Sequence, residues 1–199
     1  MGLVVTVLLF GLIATIQAQT PDALKAIDRF FTAIKAEALY TNQIKTVVDA
    51  QVKKNPKLGS YRAQIDDAIN KNMSWSLVKK DIGKIYVREF TADDLNKIAD
   101  FYQTPAGTKL FEKMTDQKIS WSKILEDPTL MTEMFSETEL TEIVQFMQTP
   151  AGLKLAEKMP VLTKKTEDFL KQKAQKTIDK EAKKTLASMM KNQSGKVRF

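Results

Sequence analysis

The stretch FTADDLNKIADFYQTPAGTKLFEKM, residues 90–114, returns 45 positions later as FSETELTEIVQFMQTPAGLKLAEKM, residues 135–159, with 14 of 25 positions identical. Identity this dense at one fixed offset marks an internal duplication of a supersecondary unit. The match resumes upstream, where Ser74-Trp75-Ser76 answers Ser120-Trp121-Ser122 at an offset of 46, so one residue has been gained or lost in between.

Each unit reads as a helical hairpin. Thr91 followed by Asp94, and Ser136 followed by Glu139, place a hydroxyl and an acid where a helix begins, with the acid near the positive end of the helix dipole. Leu95, Ile98, Phe101 and Tyr102, matched by Leu140, Ile143, Phe146 and Met147, then recur at helical spacing and form one apolar face. Gln103-Thr104-Pro105 and Gln148-Thr149-Pro150 stop that helix and start another, because proline disfavours α geometry in the residue before it yet suits the first helical position. Thr104 and Thr149 therefore read as N-caps. Gly107 and Gly152, in the first turn of the second helix, lower helix propensity and predict the close approach of a neighbouring helix.

The run Phe101-Tyr102-Gln103-Thr104-Pro105-Ala106-Gly107-Thr108-Lys109, preceded by Tyr86 and the Phe90-Thr91 cap, resembles the signature of domain-of-unknown-function family 2059, whose members are bacterial exported helical proteins. The resemblance covers about residues 74–160, and the second copy, residues 146–154, departs from it by carrying Met147 where the first has Tyr102. It implies fold and compartment. The family has no established activity, so it brings no catalytic residue with it.

Outside the repeats, Thr20-Pro21-Asp22 opens a first helix with Leu24, Ile27, Phe30, Phe31 and Ile34 on one face, and a second is predicted over residues 41–54. Residues 55–60 form a loop; Tyr61, Ile65 and Ile69 mark a third helix. Ser74 then caps a fourth, whose buried face is Leu77, Val78, Ile82, Ile85 and Tyr86. Asp127-Pro128 breaks the chain between the repeats. After Pro160 a long helix is predicted over about residues 161–191, with Leu162, Phe169, Leu170, Ala174, Ile178, Ala182, Leu186, Met189 and Met190 near one side and lysines on the other. At the other end, residues 1–18 carry no charged side chain and run apolar for about fifteen residues, short of the roughly 20 that a membrane span needs. A signal peptide cleaved after Ala18 is the expectation, with a retained anchor or a buried helix as alternatives; mass spectrometry of the mature chain distinguishes them.

The expected fold is all-α: a bundle of eight or nine helices containing two tandem hairpins and a long basic C-terminal helix. The divisions are a signal peptide (1–18), N-terminal helices (19–73), two hairpins (74–119 and 120–160), and a basic amphipathic helix with a tail (161–199), with residues 19–199 folding as one unit.

Composition narrows the chemistry. With no Cys and no His, disulfides, Cys/His zinc sites, thiol catalysis and a Ser-His-Asp triad are excluded. Asp93-Asp94 and Asp66-Asp67 are sequence neighbours that point in different directions on a helix, so neither forms a natural acid/base pair. No catalytic residue, cofactor site or metal site is expected, and a carboxylate-dependent hydrolase is the least favoured reading. The net charge of +7 resides entirely in the last forty residues, where 11 basic side chains face 4 acidic ones. Only four of the 31 basic residues are Arg, which with the expected export argues against nucleic acid as a partner.

A non-catalytic exported binding or scaffold protein, acting in the periplasm or secreted, is therefore the primary expectation, its partner an unidentified protein or small apolar ligand. The alternative is an envelope-associating protein that contacts anionic lipid or polymer through the C-terminal lysines. Tyr86 and Tyr102 are candidates for a groove, against the competing reading that aromatics at this spacing are core, and Trp75 and Trp121 read as packing. Lys173, Lys176, Lys180 and Lys184 are the candidates for an anionic surface, against the reading that they form a solvated helix face. Oligomeric state is not readable from the chain.

Overall fold

A computed structural model describes residues 20–116 and 128–194, without the side chains at the far end of the last helix. Residues 1–18, Trp121, and the side chains of Leu186, Met189 and Met190 lie outside the described residues. Among the described residues there are nine α-helices and no strand. They are α1 (Pro21–Ala33), α2 (Ala36–Lys54), then after a 3-10 turn (Pro56–Tyr61) α3 (Arg62–Asn72), α4 (Trp75–Tyr86), α5 (Ala92–Gln103), α6 (Pro105–Asp116), α7 (Pro128–Met134), α8 (Glu137–Met147) and α9 (Pro150–Ser194).

Both hairpins form as their sequences require. Thr91 and Asp94 make a reciprocal capping box at the start of α5, and Ser136 and Glu139 repeat it at the start of α8. At the bends, Thr104 Oγ1 accepts from the Gly107 N–H and Thr149 Oγ1 from the Gly152 N–H, each at 3.1 Å. The glycines answer to a nearer neighbour than a separate helix. A Cβ on Gly107 would stand 1.9 Å from the Phe101 carbonyl oxygen, and one on Gly152 would stand 2.1 Å from that of Phe146. The last turn of the preceding helix occupies the space, so the bend itself demands glycine.

The two hairpins face each other with reciprocal contacts. Lys109 of the first pairs with the capping acid Glu139 of the second at 2.7 Å, and Lys154 of the second pairs with Asp94 of the first, also at 2.7 Å. Lys109 lies over the Phe135 ring at 5.3 Å and Lys154 over the Phe90 ring at 5.8 Å. Every one of these partners is 45 positions from its counterpart, so contact i–j is mirrored by contact j–i. That is the geometry of an isologous, two-fold interface within one chain. Phe101 and Phe146, the same position in the two copies, stack on each other with centroids 4.0 Å apart and rings 3° from parallel. Like residues touch in this way where a two-fold axis passes between them.

Other local expectations are corrected as well, and Leu77, placed on the buried face of α4, is exposed. α2 begins at Ala36 rather than residue 41, because Lys35 takes a left-handed conformation (φ 48°) that turns α1 into α2 within two residues. Ser74 occupies the N-cap position of α4, but its hydroxyl meets that of Ser76 at 3.0 Å instead of capping an amide. The boundary placed at Pro160 is absent: the second helix of the second hairpin and the basic C-terminal helix are one element, α9, with Pro160 inside it. A mid-helix proline costs about 3 kcal/mol. Leu155 and Leu162, on either side, are both fully buried, and their packing outweighs that local penalty.

One hydrophobic core joins these helices, from Phe30, Ile65 and Val78 through Leu95, Ile98 and Leu110 to Ile143, Leu155, Leu162, Leu170 and Ile178. Helix α1 lies along α5, and α9 packs on α2, α3, α4, α5 and α8. The long basic helix is therefore a spine of the bundle, with its lysines on the side left to solvent.

Candidate functional site

The helices do not fill the space where six of them meet. A cavity of about 750 Å³ opens between α1, α2, α4, α5, α6 and α9, within the range of small-molecule sites. From α1 comes Phe31, from α2 Leu39, Tyr40 and Gln43, from α4 Trp75, Ile82 and Tyr86, and from α5 Tyr102. Phe111, Met114 and Thr115 of α6 and Met159, Thr163, Thr166, Glu167 and Leu170 of α9 complete the wall.

The aromatic part is braced ring against ring. Phe31 meets Trp75 edge-on at 5.4 Å and Tyr86 edge-on at 5.6 Å, Tyr40 meets Trp75 at 5.7 Å, and Tyr102 meets Phe111 edge-on at 5.6 Å. Edge-to-face contacts of this kind hold rings in fixed orientations, so the wall is preformed. The Tyr40 hydroxyl donates to the Met73 carbonyl, and burial pushes its pKa up to about 12. Burial also pushes the Tyr86 hydroxyl up, opposed by the Thr166 hydroxyl beside it. Both tyrosines are thus neutral donors at ordinary pH.

Of the six candidate surface residues, the fold brings two together. Tyr86 and Tyr102 are buried and line the same cavity, so they are core and groove at once. The lysines are elsewhere. Lys173 leans over the Phe169 ring at 5.4 Å and reaches Asp81 at 3.6 Å; Lys184 pairs with Glu181 at 3.4 Å. Lys176 and Lys180 are exposed and form no ion pair among the described residues. At 1.5 Å per residue, Lys180 lies about 20 Å along α9 from Thr166. Trp75 packs as expected and also contributes to the cavity wall.

Phe31, Tyr40, Met114, Met159 and Thr166 did not stand out in sequence. Each sits at an ordinary helical position, and what they share is a void that exists only after the helices assemble. The acidic pairs are separated as expected: Asp93 goes to Lys97, Asp94 to Lys154, Asp66 to Arg62 and Asp67 to Lys71. Burial pushes the Asp94 carboxyl up, but Lys154 and the Thr91 cap outweigh it and hold it below the usual range. Lys109 and the Ser136 amide hold Glu139 low. Among the described residues, no three acidic side chains gather as a metal site, and no helix is long and apolar enough to cross a membrane.

Residues 78–116 and 132–181 match the sequence profile of a family described as uncharacterised protein conserved in bacteria, DUF2059. Across this region the chain belongs to DUF2059. No curated protein and no solved structure matches the chain. The DUF2059 region contains both hairpins and supplies Tyr86, Tyr102, Phe111, Met159 and Thr166 to the cavity. Phe31, Tyr40 and Trp75 come from residues before the match, so the cavity is built jointly by the DUF2059 region and the N-terminal helices.

Proposed function

We propose that this protein is a non-catalytic, exported binding protein that holds a small apolar or amphipathic ligand in the cavity between its N-terminal helices and its first hairpin. The observation that carries this reading is the preformed, aromatic-walled space of about 750 Å³, with few polar atoms in its wall. A pocket of this size and lining buries most of an apolar ligand's surface, and each Å² removed from water contributes roughly 25 cal/mol. The uncharged, apolar run at residues 1–18 supports export to the periplasm or beyond.

Titration with the uncharged fluorophore N-phenyl-1-naphthylamine tests the reading. Saturable one-to-one binding that is weakened by Met114→Trp, which narrows the cavity, is the expected result. Binding that does not saturate, or whose affinity the narrowed cavity leaves unchanged, rejects it.

A second reading rests on Lys176 and Lys180 of α9, which are exposed and form no ion pair among the described residues, and which suit contact with anionic lipid or an anionic envelope polymer. Sedimentation with anionic vesicles at low and raised salt tests this one, since attraction of this kind weakens as salt screens it. Salt-indifferent or absent binding removes it.

A further inference from the structure

Among the described residues, one buried polar side-chain atom stands without a well-placed partner, and it belongs to the cavity wall. Six threonines on these helices turn their hydroxyls back to the carbonyl four residues earlier: Thr32 to Asp28, Thr41 to Glu37, Thr46 to Asn42, Thr115 to Phe111, Thr141 to Glu137 and Thr177 to Lys173, all at 2.8–3.0 Å. Thr166 does not. The residue lines the cavity, and its buried Oγ1 makes no hydrogen bond of good geometry among the described residues. A buried hydroxyl without a well-placed partner costs up to about 1–3 kcal/mol, and the back-bonded rotamer that relieves its siblings is open to any helical threonine. The Tyr86 hydroxyl, from the facing helix α4, lies within its reach. Two hydroxyls thus converge on one spot of a mostly apolar wall.

The charge of the wall limits what can sit there. Among the described residues no Lys or Arg lines the cavity, so a carboxylate or phosphate head would find no counterion from them. Glu167 is the one charged residue in the lining among the described residues, and Lys171 engages it at 3.4 Å, so a cationic head finds no free acid among them. Hydroxyls both donate and accept, which suits a neutral head bearing a hydroxyl, ester or carbonyl oxygen.

Resting on the reading that the cavity binds a ligand, we infer that it selects an uncharged amphiphile, whose apolar body lies against Phe31, Trp75, Tyr102 and Met114 and whose oxygen-bearing head is held by Thr166 and Tyr86. The class is that of a neutral single-chain lipid, such as a monoacylglycerol or a long-chain alcohol.

The experiment is displacement of bound N-phenyl-1-naphthylamine by three probes that share a dodecyl-length tail: a monoacylglycerol, the fatty acid anion and an alkyltrimethylammonium ion, each below its micellar concentration. The monoacylglycerol displaces at a concentration at least about tenfold lower than either ion. Thr166→Val weakens the monoacylglycerol about fivefold more than it changes the fluorophore, and Thr166→Ser restores the affinity. Equal or better displacement by the anion or the cation overturns the head-group assignment while the cavity reading stands, and so does a Thr166→Val variant that binds the monoacylglycerol normally. A folded chain that never binds the fluorophore overturns both.

Discussion

The two hairpins share more than half of their residues and one bend, yet they sit in different surroundings. In the first, α1 lies along α5 and Ala99 is 0% exposed; in the second, the matching Val144 is 49% exposed, and Leu153 nearby is 60% exposed. Five residues of α5 are buried against one of α8. The same pattern of apolar positions therefore has two outcomes, set by what covers the outer face of each copy. The cavity follows this asymmetry: Tyr102 and Phe111 line it from the first copy, where the second has Met147 and Ala156.

The bend is the part that the two copies use alike, and it yields the largest expected effect. Gly107→Ala places a methyl carbon well inside the van der Waals radius of a backbone oxygen that cannot move without unwinding α5. A loss of about 3–4 kcal/mol is expected, at the upper end for overpacking, with a nearly equal loss for Gly152→Ala, read as shifts of the urea midpoint. A tolerated alanine at either site would mean that the bend differs from the one described.

Leu95 and Leu140 sharpen the contrast, since they are identical in sequence but only Leu95 is fully buried. Leu95→Ala should cost about 3 kcal/mol and Leu140→Ala nearer to 1 kcal/mol by the same unfolding assay. Equal losses would show that the second copy is covered after all. The stacked Phe101–Phe146 pair, where the copies meet, should give a coupling of about 1 kcal/mol in a double-mutant cycle with alanine. Additive losses would place the rings apart.

The smallest effect concerns the exchanged ion pairs. Asp94 and Glu139 both have folded-state pKa values below their ordinary 3.8 and 4.5. Their contribution is therefore complete above those values and is lost as pH falls through the lower folded ones. Unfolding midpoints followed downward from pH 6 should begin to drop near pH 4.5, and Asp94→Asn should flatten the fall. A midpoint that rises with acid would contradict the sign. These pairs are partly exposed, so their contribution stays modest.

Much of the local structure was legible because its causes are local. Thr91, Ser136, Thr104 and Thr149 bond amides three residues away, so their spacing alone announces the helix starts. Pro160 misleads for the complementary reason: its penalty is local, while the burial of Leu155 and Leu162 that overrides it comes from helices distant in sequence. Lys35 gave no warning, since a lysine in a left-handed turn differs from any other lysine only in its φ. The cavity was half legible, through Tyr86 and Tyr102, because aromatic spacing indicates a buried face but not whether that face meets another or a void.

What the chain determined by itself is the all-helical class, the duplication, the caps and the glycine bends, since each depends on residues within one or two turns of one another. Tertiary structure alone decided that the copies meet about a two-fold axis, that α9 runs unbroken through Pro160, and that six helices leave a cavity with the Thr166 hydroxyl in its wall. Those outcomes depend on which faces win the competition for burial, and that competition is settled between segments far apart in the sequence.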